Sequence, residues 1–183
     1  MKNRDDGHVL IRYSSDQHYS ESLWQWRDFV VSETLVPVSI NRILVAFDGS
    51  NHSKKATELA VLLALKFNSE VYFAHVLEET NVPEDFKEYA EVEDVSPFQY
   101  FDEINEKLLQ PAIDRAKAAG VKKVERISLR GHPADEILKA AQIHNVDLII
   151  LGSRGLGKFS RDFLGSVSTK VLNHAHCTCI TVK

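Results

Sequence analysis

The sequence predicts an α/β fold, a parallel β-sheet with helices on both faces, over residues 39–183. Three observations predict it. From Ile40 onward, short apolar runs alternate with longer stretches of helical period. The apolar runs are continuous rather than in-and-out, as in strands buried on both faces. Turn-forming clusters such as "DGS", "GHP" and "GSRG" separate the two kinds of segment.

Residues 1–38 do not share this pattern and form an N-terminal extension. Within it, "SESLWQWRDFVVSETLV" sets Leu23, Trp26, Val30 and Val31 near helical spacing, flanked by Trp24 and Phe29 and ended by Pro37. A short amphipathic helix is expected after a polar leader. Such a helix is marginal alone in water, so its aromatic face needs a surface: its own domain, a sister subunit, a dedicated partner or a membrane.

The first strand is "RILVAF", stopped by "DGS". The helix "SKKATELAVLLALKF" puts Ala56, Leu59, Ala60, Leu63 and Phe67 on one stripe, and "EVYFAHVL" is the second strand. Residues 78–99 are acidic, bounded by Pro83 and Pro97, with Phe86, Tyr89 and Val92 three apart; a surface excursion or lid with at most a turn or two of helix is expected. The next helix, "DEINEKLLQPAIDRAKAAG", carries Ile104, Leu108, Ala112 and Ala116 on one face, and Pro111 should kink or break it. "KKVERISLRG" is a strand. "HPADEILKAAQIHN" begins a helix with Pro133 at its first position and carboxylates in its first turn, where the helix dipole favours them. "DLIILG" is the most apolar strand and is expected at the sheet centre; a helix from Gly165 to His174 and the strand "TCITVK" follow.

Composition narrows the function. With 44% hydrophobic and 26% charged residues the chain is an ordinary globular protein, and a net charge of −4 argues against a general nucleic-acid or anionic-membrane binder. No apolar run approaches the ~20 residues of a membrane span. The N-terminus mixes charges of both signs and has no apolar h-region, so it does not resemble a signal peptide. Two closely spaced cysteines, Cys177 and Cys179, suit a reducing compartment. A cytoplasmic protein is expected.

Two loops compete for the ligand position beyond the carboxyl ends of the strands: "DGSNHS" and "GSRGLGKFSRDFLGS". The second nearly matches a Walker A loop, but Phe159 stands where that loop needs a hydroxyl for Mg²⁺. Asp147, the only acid near the apolar strand, lies at its start rather than its end. Spaced differently, the same loop offers Gly152 and Gly155, whose backbones can come close to a ligand, and then Gly165-Ser166-Val167-Ser168 opening a helix. The free N–H groups there, with the Ser166 and Ser168 hydroxyls, make an anion site without a metal ligand. Lys158 and Arg161 could neutralise phosphate charge or simply be solvated.

The run "GSRGLGKFSRDFLGSVS" fits the G-2x-G-9x-G-[ST] signature of the ATP-binding branch of the universal stress protein family. With "ILVAFDGS", "AHVLEE" and "GHPADEIL", the chain resembles that family from Ile40 to Lys183. The resemblance implies a five-stranded Rossmann-like sheet of order 3-2-1-4-5. It implies ATP, whose phosphates can carry Mg²⁺ or Mn²⁺, bound between the ends of the first and fourth strands. Asp48 would hold the ribose, Ala46 and Phe47 would line the adenine side, and Val76 would meet the adenine edge through its backbone. Gly152, Arg154 and Gly155 would lie along the ribose and α-phosphate; Gly165, Ser166, Val167 and Ser168 would hold the β- and γ-phosphates. The resemblance also implies a homodimer through the last strand, although Thr178 stands where a proline often follows the cysteine.

Plainer alternatives accompany these expectations. Asp48-Gly49 is a common turn pair and Ser50 a plausible N-cap. "HAHCTC" (174–179) invites a zinc site, yet its residues straddle a helix end and a strand, so four ligands do not converge. His174 then caps its helix, and the cysteines pack as small apolar groups. His75 reads as a satisfied core histidine. No group that the motif places near the phosphates is a base for activating water. The expectation is a nucleotide-dependent regulatory module in a stress response, not a catalyst. A weak ATPase or phosphotransferase using Lys158 or Arg161, and an interaction module acting through the N-terminal helix, are the alternatives. The residues themselves leave ATP, AMP-type and cyclic nucleotides open.

Overall fold

The computed structural model describes residues 39–78, 96–155 and 164–183, without the side chains of Pro97 and Phe98. The expected N-terminal helix, most of the acidic stretch, and Lys158 and Arg161 lie outside the described residues. The described elements are β1 (Arg42–Ala46), α1 (Asn51–Phe67), β2 (Glu70–Leu77), α2 (Pro97–Ala118), β3 (Val124–Arg130), α3 (Pro133–Ile143), β4 (Leu148–Gly152), α4 (Ser166–His174) and β5 (Thr178–Val182).

The five strands are parallel and lie in the order β3-β2-β1-β4-β5. The order in which successive strands are added reverses between β1 and β4, which makes that junction the switch point where such sheets bind ligands. β1, not the more apolar β4, holds the middle; β4 is interior, one place from the centre. Both are covered on two faces, so apolar content does not distinguish them.

Alternation along the strands divides the core. Ile43, Val45, Val71, Phe73, Leu148 and Ile150 pack with α1 and α2 on one face. Leu44, Ala74, Ile149 and Leu151 pack with α3 and α4 on the other. At the amino ends of the strands, the Asp147 carboxylate accepts from the backbone N–H groups of Asn41 (2.7 Å) and Arg42 (2.9 Å). Its position before β4 thus serves the fold.

α1 starts at Ser50, whose hydroxyl accepts from Ser53 N, and ends at Asn68 in the left-handed region (φ 57°). Its buried face differs from the expected stripe. Ala56 and Ala60 are buried as expected, but Thr57, Val61 and Ala64 complete the face. Leu59 and Leu63 are only partly buried, and Phe67 is 43% exposed in the last turn. Small residues carry the contact because the helix lies close against the sheet. Ser50→Ala is expected to cost about 1 kcal/mol. Thermal melting of the variant checks this.

α2 begins at Pro97, earlier than its apolar period announces, because Ser96 and Gln99 form a capping box. The end of the acidic stretch is therefore helix. Pro111 does not break α2, which runs through it. The proline sits on the exposed side, with Leu109, Ala112, Ile113 and Ala116 buried behind it. Its missing N–H and its ring therefore disturb only the solvent-facing side, where water can satisfy the released carbonyl. The buried face also shifts: Phe101, Asn105 and Leu109 are buried, while Ile104 is only partly so.

α3 opens with Pro133 and carries Asp135 and Glu136 in its first turn. Lys170 of α4 reaches Asp135 at 2.7 Å and, by this hydrogen bond, holds its carboxyl below the usual carboxylate range. The pair ties α3 to α4. His174 Nδ1 donates to the Lys170 carbonyl one turn back at 2.9 Å, a carbonyl inside α4, so the expected cap on the last carbonyls is not made by this bond. Cys177 and Cys179 pack half-buried against the α3/α4 face, and burial pushes the Cys179 thiol up to about 11.

Candidate functional site

At the switch point the loops after β1 and β4 meet and are tied together. Asp48 Oδ1 accepts from Ser50 N (3.0 Å), a turn that Gly49 permits with φ of +80°. The Ser50 hydroxyl, besides capping α1, donates to the Arg154 carbonyl at 3.4 Å. The turn role expected of Asp48 is therefore present, and it occupies one carboxylate oxygen only.

The second oxygen explains Gly155. A Cβ on Gly155 would lie 2.7 Å from Asp48 Oδ2, so only glycine lets the carboxylate sit there. Gly152 serves a similar purpose for α1: a Cβ would lie 2.8 Å from His52 Cβ and 2.9 Å from Ser53 N. The expected close approach of these glycines is thus made to the protein's own helix and carboxylate, which they bring to the loop.

A cavity of about 450 Å³ opens between the loops, within the roughly 300–1,000 Å³ of small-molecule sites. It is lined by all the residues that the resemblance assigns to the nucleotide, Ala46, Phe47, Asp48, Val76, Gly152, Arg154, Gly155, Gly165, Ser166, Val167 and Ser168, while Lys158 and Arg161 lie outside the described residues. Ala74, His75, Leu77, Glu78 and Leu151 at the strand ends, and Pro133 and Ile137 of α3, also line it. Sequence reasoning missed these. Helical period marks Ile137 as core, and nothing in that signal says the core ends at a cavity.

One end of the cavity is polar and positive. Gly165 is the N-cap of α4 and no side chain caps the helix. The first intrahelical bond runs from Thr169 N to Gly165 O, which leaves the N–H groups of Ser166, Val167 and Ser168 without intrahelical partners. The helix dipole adds to their positive potential, and Arg154 lies nearby in the lining. Ser168 is buried and its hydroxyl donates to the Gly152 carbonyl at 2.8 Å. Its proton is therefore spent on β4, and it offers a ligand its backbone N–H. The Ser166 hydroxyl has no such tie among the described residues.

The other end is the gap between β1 and β2. The Phe47 N–H donates to the Ala74 carbonyl at 2.8 Å, beyond the last paired strand residues, Ala46 and Ala74. The Phe47 carbonyl is taken at 2.8 Å by His75 Nδ1. Burial pulls the His75 imidazole below its ordinary value, opposed by this bond and by the Asp48 charge.

Comparison with known proteins agrees with the fold. The sequence profile of the universal stress protein family matches residues 39–183. The universal stress protein YxiE of Bacillus subtilis is 38% identical over 150 residues, covering 78% of this chain and 99% of that protein. The universal stress protein in the QAH/OAS sulfhydrylase 3′ region of Thermus aquaticus is 34% identical over 145 residues, 77% of this chain and 97% of its own length. Among solved structures, a universal stress protein in complex with cAMP superimposes with a TM-score of 0.57 at 26% identity, over 80% of this chain and 98% of the other.

Proposed function

This chain belongs to the universal stress protein family, and from that premise we propose that it binds ATP at the switch-point cavity and acts as a nucleotide-dependent regulatory module in a stress response. One observation carries this reading: the N-terminus of α4, without a side-chain cap among the described residues, opens into the same cavity that Asp48 lines. A nucleotide has the matching pair of features, an anionic chain and a diol that donates to a carboxylate. The related protein solved with cAMP supports the adenine nucleotide as ligand class.

In this arrangement Asp48 accepts from the ribose hydroxyls, and Ala46 and Phe47 line the adenine side. Val76 meets the base through its backbone. Gly152, Arg154 and Gly155 run along the ribose and α-phosphate, and the N–H groups from Gly165 to Ser168 hold the outer phosphates. Mg²⁺ or Mn²⁺ would enter on the phosphates themselves. Among the described lining residues the phosphate end carries no carboxylate or imidazole to activate water, so the site holds nucleotide rather than turning it over. The outer edge of β5 takes no strand partner among the described residues, and a second copy of the chain is proposed to pair there in the cytoplasm. Deleting residues 1–38 is expected to leave ATP affinity unchanged.

The test is nucleotide extraction from protein purified without additives, followed by calorimetric titration with ATP, AMP, cAMP and GTP. Intact ATP bound in preference to GTP is expected. Equal affinity for ATP and GTP, or no binding of either, overturns the reading.

A further inference from the structure

The proposed adenine contact requires something a regular parallel ladder would not supply. Along β2, residues alternate in the strand toward which their backbone groups point. The odd-numbered ones serve β3: Val71 N donates to Lys123 O, and Leu77 O accepts from Gly131 N. The even-numbered ones serve β1: Glu70 N donates to Asn41 O, and Ala74 O accepts from Phe47 N. Val76 is even, so its N–H and C=O point to the β1 side. The regular partner for Val76 N–H, one step past the Phe47–Ala74 bond, is the Phe47 carbonyl.

Among the described residues no backbone bond runs from Val76 N–H to that carbonyl, and His75 takes it instead. His75 Nδ1 lies 2.8 Å from it, and since a carbonyl oxygen only accepts, Nδ1 carries the proton. Alternation sets the His75 Cβ with Val71 and Phe73 on the α1/α2 side, whereas Ala74 and Val76 face α3 and α4, and the residue also borders the cavity. Val76 itself lines the cavity.

We infer that His75 is a positioning residue for nucleobase choice: by satisfying the Phe47 carbonyl, its ring ends the β1–β2 ladder one bond early and keeps the Val76 N–H and C=O available to the edge of the base. A donor beside an acceptor fits the N1 acceptor and N6 donor of adenine. Hypoxanthine presents the opposite pattern on the same edge, a donor at N1 and an acceptor at position 6. His75 touches no ligand in this account and acts through Val76. The inference rests on the nucleotide reading for the identity of the base, but not for the state of the Val76 amide.

Two measurements separate those dependences. The first is amide hydrogen exchange of nucleotide-free protein followed by NMR. In the wild type the Val76 amide is expected to exchange about a hundredfold faster than that of Ala74, which sits within the ladder. In His75→Leu the Phe47 carbonyl needs another donor, so Val76 N–H closes onto it and becomes protected. In His75→Asn the side-chain amide replaces Nδ1–H, and Val76 stays open. The second is the ratio of Kd values for ITP and ATP. The wild type is expected to prefer ATP by roughly ten- to a hundredfold, His75→Leu to lose most of that preference, and His75→Asn to restore it.

A protected Val76 amide in the wild type overturns the inference. So does a His75→Leu variant that keeps an open amide and full ATP preference. If His75→Leu does not fold, the wild-type and His75→Asn amides decide the same question. A wild type that binds no adenine nucleotide overturns the nucleotide reading, and the exchange data still settle what His75 does.

Discussion

Gly152→Ala is expected to destabilise the protein by about 1–3 kcal/mol, the usual cost of forcing a methyl group into a packed site. The added Cβ would stand 2.8 Å from His52 Cβ, 2.9 Å from Ser53 N and 3.0 Å from His52 C. Two of these atoms are backbone, so no rotamer change relieves the clash and the first turn of α1 must move. For a chain of this size each kcal/mol lowers Tm by roughly 2–4 °C. ATP affinity should fall with it, because a shifted α1 draws Ser50 away from the Arg154 carbonyl. Gly165→Ala is the control: its Cβ would meet nothing closer than 3.5 Å among the described residues, and the change should cost about 1 kcal/mol or less, an N-cap effect alone. Thermal melts of the two variants in parallel decide; equal Tm values would show that α1 does not approach β4 as described.

Asp48→Ala should have the largest effect on binding. The carboxylate is the proposed acceptor for the ribose, and each hydrogen bond to a charged group is worth about 1.5–3 kcal/mol, or roughly ten- to over a hundredfold in Kd. The variant loses one internal bond, Asp48 Oδ1 to Ser50 N, so its melt should move only slightly. Calorimetry with ATP and 2′-deoxy-ATP gives the readout. Wild type should discriminate against the deoxy form, and Asp48→Ala should bind both equally weakly. Unchanged ATP affinity would mean that the sugar does not lie against this residue.

The sheet and the site were largely legible in the sequence because short-range patterns specify them. Apolar runs named β1, β2 and β4, their alternation with helices placed β3 and β5, and Pro133, Ser50 and the spacing of Gly152, Gly155 and Gly165 marked the turns that shape the cavity. The errors have physical causes. Pro111 looked like a break because its cost depends on which side of the helix faces solvent, which a one-dimensional pattern does not state. The start of α2 was hidden by composition, although Ser96 and Gln99 at capping-box spacing were there to be found. Phe67 looked like core by hydrophobicity, whereas small residues let α1 lie close to the sheet. His75 reads in the sequence as a satisfied core histidine, and its bond to Phe47 agrees, but which carbonyl it and the Ser168 hydroxyl take could not be read, since the partners lie 28 and 16 residues away.

The pairing of β1 with β4 has a consequence for the protein's synthesis. The Asp147 carboxylate closes on Asn41 and Arg42 across 106 and 105 residues of chain, and Ile43–Ala46 pair with Leu148–Leu151. Until β4 leaves the ribosome, β1 has a neighbour on the β2 side only. At about 5–20 residues per second this bare edge, carrying Ile43, Leu44 and Val45, persists for roughly 5–20 s on each nascent chain. The strand that later forms the centre of the sheet is thus, during translation, the edge most open to pairing with another unfinished copy. The demand for chaperones should accordingly peak while the segment from β2 to α3 is being made.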